Sequence, residues 1–87
     1  MVNVRMYSTE FCPYCIRAEM LLKSKGVAVI DKISVDSMQN GFRDLIDLTG
    51  RRTVPQIFIG DRHVGGFDDL VDLDMDDELD PLLGLSS

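Results

Sequence analysis

The stretch Cys12-Pro13-Tyr14-Cys15 holds both cysteines of the chain and separates a strand-like run, residues 2–7, from a helical run, residues 16–25. Two thiols therefore lie where a strand gives way to a helix. Proline suits the first helical position, because its missing N–H costs nothing there and its φ is already helical. We therefore expect Cys12 to cap the helix, with the amides of Tyr14 and Cys15 pointing at its sulfur.

This placement predicts a reactive thiol. The first amides of a helix lack internal partners, and the helix dipole places partial positive charge around them. The thiolate is the nucleophilic form, and an ordinary cysteine is only slightly ionised at neutral pH. We infer a lowered pKa for the Cys12 thiol and a more ordinary pKa for Cys15, which should be more buried. Cys12 is thus the predicted attacking thiol, and Cys15 the resolving thiol.

Two other interpretations of the cysteine pair are weaker. A zinc site needs a second Cys or His pair, whereas the chain has a single histidine, His63, for which we expect only a place in a hairpin. A structural disulfide would close a very small loop and stabilise little of the fold. A C-x-x-C pair beside a β-α-β pattern is typical of a redox motif, and no metal is expected.

Length and composition indicate one domain. The 87 residues, of which 45% are hydrophobic, suffice for a single modest core over residues 1–87. No run approaches the ~20 apolar residues of a membrane span, and no signal peptide is evident, so we expect a cytoplasmic protein. The formal net charge of −6 argues against nucleic acid as a partner.

The negative charge is concentrated late in the chain. Eight of the fifteen acidic residues lie between Asp68 and Asp80, and no Lys or Arg stands among them. Such a run is either a solvated face or a docking surface for basic proteins. The sequence does not separate these two alternatives.

The hydrophobic pattern predicts the order β-α-β-α-β-β-α. The second strand is expected over residues 27–35, and a second helix capped by Asp36 or Ser37 should end at Gly50, with Gly41 weakening its early part. A hairpin is predicted over residues 56–64, a helix over 67–73, and a last short helix from Pro81. A parallel β-α-β unit followed by a hairpin gives an α/β fold: a mixed four-stranded sheet with helices on both faces.

Three segments, in this order and spacing, resemble the signature of the dithiol glutaredoxins: Cys12-Pro13-Tyr14-Cys15, Thr53-Val54-Pro55 and Gly65-Gly66-x-Asp68-Asp69. The wider strings Cys-Pro-Tyr-Cys-x-Arg-Ala and Thr-Gly-Arg-x-Thr-Val-Pro-Gln-Ile-Phe-Ile agree, and the late Leu-Asp-Pro-Leu-Leu looks like the small bacterial type. The likeness covers nearly the whole chain. It implies a thioredoxin-like fold, with glutathione as the cosubstrate of thiol–disulfide exchange.

The resemblance also implies a binding site for glutathione. Pro55 would be cis, which would turn the backbone of Val54 toward Cys12 to pair with the cysteine of glutathione. The implied binding residues are Tyr14, Arg51, Arg52, Thr53, Val54, Pro55, Gly66, Phe67 and Asp68.

In this implied site the two ends of glutathione bind differently. Amides of Phe67 and Asp68 would receive the γ-glutamyl carboxylate, and the Asp68 side chain its ammonium, although Asp68 is equally well interpreted as a helix cap. Arg51 or Arg52, with Gln56 as a neutral donor, would receive the glycyl carboxylate. Without the family, both arginines are ordinary loop charges.

Two positions depart from the family pattern. Many members carry a lysine where this chain has Thr9, so less positive charge is offered to glutathione. Phe67 stands where Cys or Ser is common, and its ring is expected to narrow or cover the groove.

The resemblance implies a monomer that reduces protein disulfides and glutathione mixed disulfides. Its partners would be glutathione, disulfide-containing or glutathionylated proteins and, indirectly, glutathione reductase, with no membrane or nucleic acid. One alternative is a module that binds a [2Fe–2S] cluster between two copies through Cys12 and glutathione. Another is a redoxin recycled by thioredoxin reductase.

Overall fold

The computed structural model describes residues 2–85. Its elements follow the predicted order with one added 3₁₀ turn, and the last short helix, predicted from Pro81, begins at Leu79. They are β1 (Val4–Ser8), α1 (Pro13–Ser24), β2 (Asp31–Ser34), the 3₁₀ turn (Val35–Ser37), α2 (Phe42–Thr49), β3 (Gln56–Ile59), β4 (Arg62–Gly65), α3 (Phe67–Met75) and α4 (Leu79–Leu82).

The four strands form one mixed sheet in the order β2-β1-β3-β4. Strand β1 pairs in parallel with β2 and antiparallel with β3, and β3 pairs antiparallel with β4. The predicted parallel β-α-β unit and antiparallel hairpin are both confirmed. This is the thioredoxin-like arrangement that the resemblance implies.

Helices cover both faces of the sheet, because side chains alternate between the faces along each strand. Met6 and Ile57 are fully buried in a cluster with residues of α1, α3 and α4. Tyr7 and Phe58 join Leu45 of α2 in a second buried cluster, and their rings meet edge-on with centroids 5.8 Å apart. The predicted helices on both faces are therefore confirmed.

Two predicted boundaries are wrong. Strand β2 begins at Asp31 rather than at residue 27, and Val29, counted in the alternating pattern, is 79% exposed. Helix α2 is not capped by Asp36 or Ser37, which lie in the 3₁₀ turn; it begins after Gly41, whose φ is +54°. Glycine adopts a positive φ at little cost, so the chain turns at Gly41 and helix α2 begins only at Phe42.

Lys25, the C-cap residue of α1, connects three helices. Its Nζ lies 2.6 Å from Asp74 of α3 and 3.1 Å from Asp80 of α4. Hydrogen bonds to Asp74 and then Asp80 raise the pKa of Lys25. Part of the late acidic run is therefore paired within the fold.

The four helices are short or polar. Within residues 2–85, none combines the length and the apolar character that crossing a membrane requires.

Candidate active site

Cys12 caps α1 as the sequence predicts. Its backbone is extended (φ −138°, ψ 98°), Pro13 occupies the first helical turn, and the Cys12 Sγ accepts the backbone N–H of Cys15 at 3.1 Å. No acidic residue lies in the first turn of α1. The positive end of this helix is therefore directed at sulfur without a competing carboxylate.

The two cysteines are joined by a disulfide, with their Cα atoms 5.2 Å apart. Cys12 is 7% exposed and Cys15 is 5% exposed. The predicted difference in burial is therefore small in this oxidised form.

A groove with a volume of about 350 Å³ lies beside this motif. It is lined by Tyr14, Arg51, Thr53, Val54, Pro55, Gly66, Phe67, Asp68 and Asp69. Eight of the nine binding residues that the resemblance implies are thus brought together from α1, the loop before β3 and the start of α3. The Val54–Pro55 peptide bond is cis, and Val54 packs against the cluster that contains both cysteines.

Two aromatic rings stand together at the groove. The centroids of Tyr14 and Phe67 are 6.1 Å apart with the planes tilted by 36°. The Arg17 guanidinium lies 5.5 Å from the centroid of Tyr14, a cation–π distance. Phe67 therefore packs beside Tyr14 at the start of α3, and both residues line the groove.

The start of α3 is organised by Asp69, which our sequence reasoning did not assign to the site. Its Oδ2 accepts the backbone N–H of Gly66 at 2.8 Å and the Arg51 Nη1 donor at 2.7 Å. The Gly66 amide first, and Arg51 second, lower the pKa of Asp69. An acid three residues after a helix cap is the sequence signal that points to this contact, which here runs one way because Gly66 has no side chain.

Gly65 makes room for that carboxylate. A Cβ at this position would collide with the Asp69 carboxyl group, and the φ of Gly65 is +115°. Glycine is therefore required here by both space and backbone conformation.

Asp68 is not the cap of α3, because the cap position belongs to Gly66. The interpretation of Asp68 as an ordinary helix cap is therefore wrong. Its side chain instead lines the groove in the first turn of α3.

Two residues expected to hold the glycyl carboxylate lie elsewhere. Arg52 lines a separate depression with Phe42, Arg43, Ile46 and Asp47, since consecutive side chains outside a helix tend to point to opposite sides of the chain. Gln56 is fully buried, and its amide nitrogen already donates to Thr53. Arg51 remains in the groove but is paired with Asp69, at the start of α3.

The fold and the C-x-x-C pair at a helix start place this chain among thioredoxin-like oxidoreductases. Residues 4–64 match the family model of glutaredoxin. The chain is 51% identical over 83 residues to the glutaredoxin of Neisseria meningitidis serogroup A, covering 95% of this chain and 98% of the relative. It is 49% identical to glutaredoxin 3 of Escherichia coli K12, covering 95% and 99% of the two chains.

A solved structure agrees with these sequence relatives. The buckwheat glutaredoxin–glutathione complex superposes with a TM-score of 0.85 at 34% identity, covering 95% of this chain and 77% of that one. The chain belongs to the glutaredoxin family and is a thiol–disulfide oxidoreductase.

Proposed function

We propose that this protein is a glutathione-dependent oxidoreductase that reduces protein disulfides and glutathione mixed disulfides. One observation carries the proposal: Tyr14, in the first turn of the helix that Cys12 caps, and Asp68, in the first turn of α3, line one groove together with Val54. The buckwheat relative of similar fold, solved as a glutathione complex, supports the choice of ligand.

The groove offers separate partners for the cysteine and for the γ-glutamyl end of glutathione. The backbone N–H and C=O of Val54 pair with the cysteine of the tripeptide, like one rung of an antiparallel ladder. Amides of Phe67 and Asp68 receive the γ-glutamyl carboxylate at the start of α3, and the Asp68 carboxylate receives the ammonium. Tyr14 flanks the bound tripeptide.

Arg51 adds its charge at the α3 end of the groove, where it is paired with Asp69. It therefore supports the γ-glutamyl end rather than the glycyl end. Arg52 and Gln56 are left out of the proposed contacts, since one lies outside the groove and the other is buried.

The reaction begins with reduced Cys12. Its thiolate attacks the glutathione sulfur of a mixed disulfide, a new bond forms between the two sulfurs, and the client thiolate leaves and takes up a proton. A second glutathione thiolate then attacks the adduct, releasing glutathione disulfide and restoring the Cys12 thiolate. Each step exchanges one S–S bond for another, so no further oxidant is needed.

The dithiol route uses Cys15. After Cys12 has attacked a protein disulfide, the Cys15 thiolate attacks the Cys12 sulfur, expels the client thiol and forms the Cys12–Cys15 disulfide, which is the bond in this structure. Two molecules of glutathione then reduce it. We place this cycle in the cytoplasm, with the protein acting as a monomer and glutathione reductase regenerating glutathione.

A coupled assay tests the proposal. In one reaction, a small glutathione mixed disulfide is supplied with glutathione, glutathione reductase and NADPH. In a parallel reaction, thioredoxin reductase and NADPH replace glutathione and glutathione reductase. We expect NADPH consumption only in the first reaction. Turnover with thioredoxin reductase alone would favour the redoxin alternative, and visible absorbance after anaerobic purification would favour the [2Fe–2S] alternative.

A further inference from the structure

Gln56 is fully buried, yet every part of its amide is paired. Its Nε2 donates to the Thr53 carbonyl oxygen at 3.0 Å and lies 3.2 Å from the Thr53 hydroxyl. Its Oε1 lies 2.7 Å from the Nε2 of His63. Because an amide oxygen only accepts, the His63 Nε2 carries the hydrogen in this contact.

We propose that His63 is a positioning residue for glutathione, acting through Gln56 on the Thr53–Pro55 loop. The inference rests on the proposed function, since that loop supplies the Val54 backbone to which the glutathione cysteine binds. His63 is not among the residues that line the groove, although its imidazole interacts electrostatically with Arg51 and Asp69, which do line it. The proposed influence on the ligand passes through the hydrogen-bonded Gln56 amide, and Gln56→Met tests that route.

The physical basis is the orientation of the Gln56 amide. Gln56 and Thr53 bracket Val54 and Pro55, so their hydrogen bonds clamp the loop on both sides of the ligand-binding backbone. A flipped amide would set its oxygen against the Thr53 carbonyl oxygen, and two acceptors repel. The donor on His63 selects the productive orientation, because without it a buried oxygen is left unpaired.

His63 is itself held firmly. Its ring stacks on Phe58 with centroids 4.8 Å apart and planes 27° apart, and the Arg5 guanidinium lies 5.0 Å from the centroid of the same Phe58 ring. Burial, assisted by the charge of Arg51, lowers the pKa of His63. The imidazole is therefore neutral at neutral pH, with its single hydrogen on Nε2.

The test compares His63→Phe, which keeps a stacking ring but has no donor, with His63→Gln, whose terminal amide nitrogen reaches about as far as Nε2. We expect His63→Phe to raise the KM for a small glutathione mixed disulfide about threefold to tenfold, as expected when one buried partner is lost. The kcat should change less than about twofold. His63→Gln should restore a KM close to the wild-type value.

Two readouts separate positioning from general damage. The reaction of reduced Cys12 with an aromatic disulfide that lacks glutathione should keep its wild-type rate in His63→Phe. Val64→Ala loosens the same strand, because Val64 packs against the core, but Val64 takes no part in the side-chain hydrogen bonds of Gln56. It should lower the melting temperature and leave the KM unchanged.

Gln56→Met provides a second route to the same measurement if His63→Phe folds poorly. It removes both sets of hydrogen bonds while filling a similar volume, so it should raise the KM like His63→Phe. Combining the two changes should add nothing further, since both break one pathway.

The outcomes distinguish the two proposals. Absence of glutathione-dependent turnover in the wild type would overturn the proposed function. A wild type that is active, together with any of three results, overturns only the role of His63: an unchanged KM in His63→Phe, no recovery in His63→Gln, or a KM defect of equal size in Val64→Ala.

Discussion

Helix α1 begins with a sulfur cap and has no acid in its first turn, whereas α3 begins at Gly66 and carries Asp68 and Asp69 in its first turn. In α1, the Cys15 amide is directed at the Cys12 sulfur. In α3, the Asp69 carboxylate turns back to the Gly66 amide and draws in Arg51. Both helices begin beside one groove. Of the two, only α1 has no carboxylate side chain in its first turn.

The difference shows how one physical effect serves two tasks. In the proposed function, the uncompensated start of α1 stabilises an anion that belongs to the protein, namely the Cys12 thiolate. The start of α3, whose charge is partly balanced by Asp69, is proposed to bind groups that belong to the ligand.

The largest effect is expected from the sulfur cap itself. Cys12→Ser should lower turnover of a glutathione mixed disulfide by at least about a hundredfold, because a serine hydroxyl is scarcely ionised at neutral pH. Cys15→Ser should retain much of the activity, since the monothiol route needs only Cys12. The coupled glutathione reductase assay measures both. Equal losses in the two variants would refute the assignment of roles.

A smaller effect is expected at the start of α3. Asp69→Ala removes the acceptor for Gly66 and the partner of Arg51, and should lower the free energy of unfolding by about 1 kcal/mol, the usual size of a lost cap. The KM for the mixed disulfide should rise, while the alkylation rate of reduced Cys12 stays unchanged. Asp69→Asn, which keeps an acceptor oxygen for the Gly66 amide, should lower the free energy of unfolding by less. A slowed alkylation in Asp69→Ala would show that the two helix ends are not independent.

The pH dependence of this effect follows from the lowered pKa of Asp69. A carboxylate whose pKa is lower in the folded than in the unfolded protein contributes its full stability above the unfolded pKa. That contribution disappears as the pH falls through the folded pKa. Urea unfolding should therefore show a stability gap between wild type and Asp69→Ala at pH 7 that narrows in acid below the ordinary aspartate range.

Adding an acid to α1 should make its start resemble that of α3. Ile16 is exposed and is the fourth residue of α1, with its amide bonded to the Cys12 carbonyl, so Ile16→Glu adds a negative charge at the helix start. We expect the pKa of the reduced Cys12 thiol to rise, because a carboxylate at the helix start opposes the ionisation of the sulfur. The pH profile of iodoacetamide alkylation measures this shift.

Ile16→Gln is the matched neutral control for that substitution and should behave like the wild type. Equal profiles for the Glu and Gln variants would show that charge at the start of α1 does not govern the sulfur. The same conclusion would follow if Cys12 of the wild type were alkylated at pH 6 no faster than a cysteine in a model peptide.

The smallest effect is expected at the far end of α1. Lys25→Met breaks the contacts to Asp74 and Asp80 and should lower the melting temperature slightly, by less than Asp69→Ala does. The raised pKa of Lys25 means that this contribution is complete below the unfolded pKa and is lost as the pH rises through the folded pKa. The difference from wild type should therefore persist at pH 7 and vanish only in strong alkali. A change in mixed-disulfide turnover would contradict a purely structural role.

Sequence reasoning succeeded where a few neighbouring residues decide the structure. Four consecutive residues specify the start of α1, because the proline and the sulfur cap act within one turn. The hairpin β3–β4 is likewise closed by a short turn. The prediction of a strand over residues 27–30 was wrong, because an alternating pattern does not show whether a neighbouring strand is present to pair with these residues.

The resemblance supplied most of the groove, but not its internal contacts. It did not distinguish Arg51 from Arg52, which are consecutive arginines that the fold directs to different surfaces. It also assigned no structural role to Asp69. Both assignments depend on which side chains face one another across segments that are distant in sequence.

The amino-acid sequence was sufficient to predict the α/β order of elements, the cysteine pair at the start of α1 and the membership of nearly the whole chain in one family, because each depends on local pattern or on residues in fixed spacing. The three-dimensional structure was needed to show that Asp69 rather than Asp68 organises the start of α3, that Arg52 lies outside the groove, and that Gln56 and His63 are hydrogen-bonded to each other. Hydrogen bonds form between atoms close in space, and packing of the sheet against its helices determines which atoms those are.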